Sequence, residues 1–203
     1  MTTLMANTLY ALTRKGFIVH HAATLAQAKS IVLKLIPGDA SVGFGGSITV
    51  REMDLYEDLK AAGHPVYWHW QNDVPKPEVF ARAAAADVYL ASTNAITADG
   101  CLVNIDGTGN RVGAMIAGPG QVIIIAGVNK LVNGGIPQAI ARIKAIACPQ
   151  NARRLGLHTP CGLDGKCDAA RCEKGMCNVT SIIDKPVGGH PITIVLVDEE
   201  AGY

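Results

Sequence analysis

The sequence predicts an α/β protein built on a mostly parallel, open sheet with helices on both faces. Over residues 1–150, short aliphatic runs of strand length alternate with longer segments whose apolar residues recur at helical spacing. The runs at 88–91 and 122–126 are continuously apolar, as expected of strands covered on both sides. Hydrophobic residues make up 49% of the 203, charged ones 17% and aromatics only 5%, so the chain folds around a core of Ala, Val, Ile and Leu.

The elements follow in order. Residues 3–15 read as a helix ended by Gly16, and 17–19 as a short strand. Thr24 caps a second helix that runs through Ala26, Ile31, Val32 and Leu35. After the turn Pro37-Gly38-Asp39, residues 40–44 form a strand that enters Gly45-Gly46-Ser47 directly. One helix from Ser47 carries Ile48, Leu55, Leu59 and Ala62 on a stripe and closes at Gly63. Residues 66–68 are strand-like, 76–86 helical, and 88–91 a buried strand. Strands at 101–105 and 121–126 flank a Gly-rich stretch with a short helix at 112–117. A long helix from Ile136 places Ile136, Ile140, Ile143 and Ile146 on its stripe. Residues 180–183 and 192–197 add late strands, expected at an edge. No linker or internal repeat divides the chain, so residues 1–203 are expected to form a single domain, with a cysteine-rich loop at about 158–178.

A formal charge of +1 with no Lys/Arg run argues against a nucleic-acid or anionic-membrane partner. No stretch approaches the roughly 20 apolar residues that span a bilayer. The opening Met1-Thr2-Thr3-Leu4-Met5 lacks the basic-then-apolar pattern of a secretory signal, so a cytoplasmic location is expected. Thiols are kept reduced there, which makes disulfides a poor explanation for the cysteines.

Cys161, Cys167, Cys172 and Cys177 crowd one short segment, and Cys148 stands upstream beside Pro149. Dense soft thiolates in a reduced compartment select zinc or an iron–sulfur cluster. Gly162, Gly165 and Gly175 let the loop wrap closely, while Lys166, Arg171 and Lys174 offset thiolate charge. Gaps of five, four and four residues do not choose the metal; an iron–sulfur centre is the leading expectation and zinc the alternative. Cys148 is a possible substitute for one of the four. Cys101 reads as a small buried apolar residue, and His158 as a ligand, a partner of one, or a solvated loop histidine.

Two glycine loops suggest a small-anion site. Gly45, Gly46 and Ser47 join a strand to a helix, where free backbone N–H groups face an anion. The stretch from Thr97 to Gly113 holds Asp99, Asn104, Gly107, Asn110 and Arg111, the last a planar donor for carboxylate or phosphate. Lys130 follows the strand at 121–126 and so sits at the carboxyl edge of a parallel sheet, where ligands of open α/β sheets bind. Trp68 and Trp70, with His69 between them, read as packing, and no nucleophile–base pair stands out as catalytic.

At these same residues the sequence resembles the LUD-domain (lactate-utilisation) family, in its type with a cysteine-rich C-terminal segment. The matching stretches are 43–47, 97–100 with Asn104 and 107–112, 127–130, 159–179 and 191–200. The resemblance implies a fold like that of ribose-5-phosphate isomerases and CoA transferases, a link to oxidation of lactate to pyruvate, and iron–sulfur or oxidoreductase partner proteins. The acid–lysine set of a sugar-phosphate isomerase and the nucleophilic Glu of a CoA transferase are not visible. The reading is therefore a redox-associated protein of organic-acid metabolism that binds a small carboxylate or phosphate beside a cysteine-held centre. A non-catalytic subunit with structural zinc, or an isomerase- or transferase-like enzyme, are the alternatives.

Overall fold

The structure, a computed structural model, describes residues 1–71, 74–188 and 190–203. Helix α1 (Thr3–Arg14) is capped by Thr2, whose hydroxyl accepts the Met5 N–H, and stops at Gly16, which takes φ +91°. Such a cap contributes about 1 kcal/mol. Strand β1 (Ile18–Ala22) leads to α2 (Leu25–Leu35), capped by Thr24 as expected. Strand β2 (Val42–Phe44) enters the first glycine loop.

The single helix expected after that loop is two: α3 (Ile48–Glu52) and α4 (Leu55–Ala61). Between them Asp54 adopts the left-handed conformation at φ 50°, which no helix continues through. Strand β3 (Val66–Tyr67), α5 (Lys76–Ala84) and β4 (Val88–Ala91) follow. Then come β5 (Ala95–Thr97), β6 (Leu102–Asp106), α6 (Asn110–Ala117), β7 (Gln121–Gly127) and β8 (Leu131–Val132).

The long helix from Ile136 is present but not uniform. It starts as α7 (Ile136–Arg142), widens to a π turn over Ile143–Ala147, and resumes as α8 (Cys148–Arg154). Pro149 has no N–H to give and its ring crowds the preceding turn, so the ladder slips by one residue and Cys148 N–H bonds Ile143 O. A short α9 (Pro160–Asp164) precedes β9 (Val179–Ile183) and β10 (Ile192–Val197).

The main sheet has the order β1–β10–β7–β4–β2–β3, and every pair in it is parallel. A second sheet, β8–β5–β6–β9, is mixed, with β6 antiparallel to both neighbours. The strand at 101–105 thus belongs to this smaller sheet and not to the parallel one. Of the two late strands, β9 lies at an edge but β10 does not: it pairs with β1 and β7, and all six of its residues are buried. Apart from Thr193 the strand is aliphatic throughout, as a central parallel strand needs.

Helices α2, α3 and α4 cover one face, with Val32, Val50, Leu55 and Leu59 packed on Val42, Leu90 and Ile125. The other face is covered by α1, α5 and α6 together with the second sheet, through Leu12, Met115, Ile96 and Leu102. A third cluster joins the second sheet to the long helix through Val103, Ala139, Ile143 and Ala152. Chain order reverses between β2 and β4, and a crevice opens at their carboxyl ends.

Candidate functional site

That crevice is a cavity of about 470 Å³, and the strand exits build it. Gly46 and Ser47 follow β2, His69 and Trp70 follow β3, Ser92 and Asn94 follow β4, and Lys130 follows β7. Tyr203 arrives from beyond β10. The far wall is the long helix, through Ile143, Ala147, Cys148 and Arg154, with Met176 and Cys177 from the cysteine loop. Among the described residues, Lys76, Arg111, Lys130 and Arg154 stand in the lining against one carboxylate, Asp106, so the described lining carries a positive balance.

Arg111 is buried, and its guanidinium is heavily engaged. Nη1 donates to Ser92 O at 2.9 Å and Asn104 Oδ1 at 2.6 Å, and Nη2 to Asn94 Oδ1 at 2.9 Å. It also pairs with Asp106 at 3.3 Å, while the other oxygen of Asp106 accepts the Val112 N–H. Arg111 therefore ties α6, β6 and the loop after β4 into one unit, and lends the cavity charge more than a free fork. Gly45 makes room for it: a Cβ there would lie 3.2 Å from Arg111 Cγ and 3.1 Å from the Tyr89 hydroxyl.

Lys130 is 3% exposed. Its Nζ donates to Thr49 Oγ1 and Ser92 Oγ, both at 2.7 Å. Among the described residues no carboxylate pairs with it. Burial first, and then the nearby cations Arg142 and Arg111, push the amine down to about 7; Glu52 works the other way. His69, also in the lining, is held below the ordinary range by burial, and its Nδ1 is buried without a hydrogen-bond partner among the described residues.

The cysteine segment starts with Thr159, whose hydroxyl caps α9 by accepting Gly162 N–H, with Pro160 in the first turn. This sets Cys161 in a buried position, its Sγ 3.3 Å from Thr159 Oγ1. Cys148, presented by the π turn, is buried against Cys177 at 3.4 Å between sulfurs. That hydrogen bond, and then burial, push Cys148 up, and the same bond pulls Cys177 down. The Cys172 thiol is raised by desolvation and then by the charges of Cys161, Cys177 and Cys167, so all five sulfurs share one neighbourhood. Lys144 Nζ lies 3.9 Å from Cys167 Sγ.

Among the described residues, no three His, Cys, Asp or Glu side chains close around a point that would hold a metal ion. Two thiolates of a tetrahedral zinc stand roughly 3.8 Å apart, a separation to which the Cys148–Cys177 contact would open slightly. The donor set itself suits a soft metal centre: five thiols, Lys144 beside Cys167, and Gly175, where a Cβ would meet Cys172 Sγ at 2.7 Å.

Of the residues singled out in the sequence, Gly46, Ser47, Gly107, Asn110, Arg111 and Lys130 line the cavity, as do Cys148 and Cys177. Asn104 is buried behind Arg111, and Gly45 lies beneath it. Asp99 is not brought to them. It is exposed and pairs with Lys15 at 3.5 Å, beside Cys101. Cys101 is buried as expected, but it is not merely apolar: Lys15 Nζ donates to its sulfur at 2.9 Å and Asp184 lies at 3.1 Å. His158 is exposed. Trp68 is packing, stacked on Phe44, whereas Trp70 lines the cavity beneath Arg154 at 4.7 Å.

Sequence reasoning missed Ser92, Asn94 and Arg154. None stands in a glycine-rich or cysteine-rich context; a polar run, Ser92-Thr93-Asn94, at the end of a buried strand was the available signal. No helix among the described residues is long and apolar enough to cross a membrane.

A crystal structure of a DUF162-family protein from Deinococcus radiodurans has the same fold, with a TM-score of 0.57 and 11% identity over 96% of each chain. Comparison with curated proteins found no match. The LUD-domain family matches residues 5–197, nearly the whole chain and every cavity element except Tyr203. The chain belongs to the LUD-domain family.

Proposed function

We propose that this protein serves organic-acid metabolism of the lactate type, binding a small carboxylate or phosphate beside a cysteine-ligated iron–sulfur centre. Family membership ties it to lactate utilisation. One observation carries the finer reading: Ser47, Arg111 and Lys130 line the same cavity as Cys148 and Cys177.

The anion would rest against the backbone of Gly46 and Ser47, with Asn110 orienting it. Arg111 and Lys130 would supply the positive potential. Cys161, Cys167, Cys172 and Cys177 would hold the centre, with Cys148 as the substitute its contact with Cys177 favours. Bound there, a cluster supplies one-electron chemistry, exchanged with an oxidoreductase partner. Lys144 would offset thiolate charge, and the apolar wall of Ile143 and Ala147 would exclude water from the gap.

The test is metal and acid-labile sulfide content, with a visible spectrum, on protein purified without oxygen. Iron with sulfide is expected. Stoichiometric zinc in colourless protein would replace this reading with that of a structurally stapled binding module, and protein with neither would overturn the metal centre. Calorimetric titration with lactate and with inorganic phosphate tests the anion site separately.

A further inference from the structure

We infer that Lys130 is a carbonyl-capturing amine, and that the cavity takes a 2-oxo acid as a covalent imine on its Nζ. This rests on the small-carboxylate reading above and names the class of ligand. The hydrogen bonds of Lys130 match a neutral amine. A neutral amine has two N–H groups, and two hydroxyl oxygens receive them, Thr49 Oγ1 and Ser92 Oγ. Thr49 is fixed as an acceptor there because its own proton goes to Ala201 O at 3.0 Å. The lone pair is left over, on a group that lines the cavity. An ammonium would bring a third N–H, for which the described residues provide no partner.

The surroundings favour the uncharged form for the same reasons. Lys130 is buried near Arg111 and Arg142, with Glu52 the one acidic group acting on it among the described residues. A desolvated lysine next to other cations is the usual way an amine is made nucleophilic at neutral pH. The cations that suppress its charge also attract a carboxylate, so the ligand needs both a carboxylate and an electrophilic carbonyl. A 2-oxo acid has the two on adjacent carbons.

The step balances without an oxidant. Nζ attacks the carbonyl carbon and the C=O pair moves to oxygen, giving a carbinolamine. Both amine protons then leave with that oxygen as water, and the C=N bond remains. Ser92, which lines the cavity within reach of Nζ, is placed to hydrogen-bond the departing oxygen. Hydrolysis reverses the sequence and frees the acid.

The experiment uses the full chain with sodium pyruvate and sodium cyanoborohydride near pH 7, read by intact mass and peptide mapping, beside calorimetry with lactate. Lactate offers the carboxylate but no carbonyl. One reduced adduct is expected, mapping to Lys130 and forming at least ~10-fold faster than on any surface lysine. It should be absent from Lys130→Met. Peptide mapping on the native chain locates the adduct even if that variant folds poorly. Lactate binding with no adduct, or labelling spread evenly over surface lysines, would overturn the imine and leave the carboxylate site standing. No adduct and no lactate binding would overturn both.

Discussion

Replacing Lys130 by Met should make this protein more stable at neutral pH and less stable in base. The side chains are similar in length and Met packs adaptably, so the change mostly removes an ionisable group. An amine moved from its ordinary 10.5 down to about 7 lowers folding stability by about 4 kcal/mol at pH 7, because the unfolded chain holds a proton that the folded one resists. Against this, Lys130 gives hydrogen bonds to Thr49 and Ser92, worth about 1 kcal/mol each. The net expectation is a gain of about 2 kcal/mol for Lys130→Met at pH 7, or roughly 4–8 °C in Tm for a chain of this size.

The sign follows from linkage. Between pH 7 and 10.5 the unfolded state binds more protons at this lysine, so native stability rises with pH by up to about 1.4 kcal/mol per pH unit. The variant lacks that contribution, and its advantage should vanish near pH ~9 and reverse above it. Urea unfolding of both proteins from pH 6.5 to 9.5 measures the difference, in which every other titrating group cancels. A variant less stable than the parent at pH 7, by an amount that does not change with pH, would refute the reasoning. Lys130 would then be a satisfied cation.

Other substitutions probe the rest of the site. Arg111→Met leaves Asp106, Asn94 and Asn104 without their shared donor and should cost about 3–5 kcal/mol in urea unfolding; Arg111→Lys should not restore it, since a point charge cannot bridge the set. Gly43→Ala places a Cβ 2.2 Å from the Ala83 carbonyl oxygen, so β2 and α5 must part, with a loss of about 3 kcal/mol or more in the same assay. Cys148→Ala removes the hydrogen bond that favours the Cys177 thiolate, and metal-free protein should alkylate at Cys177 roughly 3–10-fold more slowly near pH 7.

Much of the fold is legible in local pattern. The continuous aliphatic run at 122–126 announces a buried strand, the run at 192–197 announces a strand, and Thr24 is a cap whose hydroxyl accepts the Gln27 N–H. The glycine loop after β2 and the cysteine run are likewise plain, because each chemistry needs particular residue types close together in the chain. Where local pattern failed, a non-local partner decided. Nothing in Leu102–Asp106 says that it pairs antiparallel with Val179–Ile183, and nothing in Ile192–Val197 places it between β1 and β7.

For the site, the sequence by itself determined the kinds of chemistry on offer: soft thiols, backbone amides at glycines, and an arginine and a lysine near strand ends. Only the tertiary structure decided which of these meet. It carried Asp99 away to Lys15, spent the Arg111 fork on Asn94, Asn104 and Asp106, and set Ser92 and Thr49 on Lys130. It also brought Cys148, by way of the π turn at Pro149, against Cys177. The physical reason is that amine acidity and thiol pairing depend on burial and on partners tens of residues away, and composition or spacing carries no record of either.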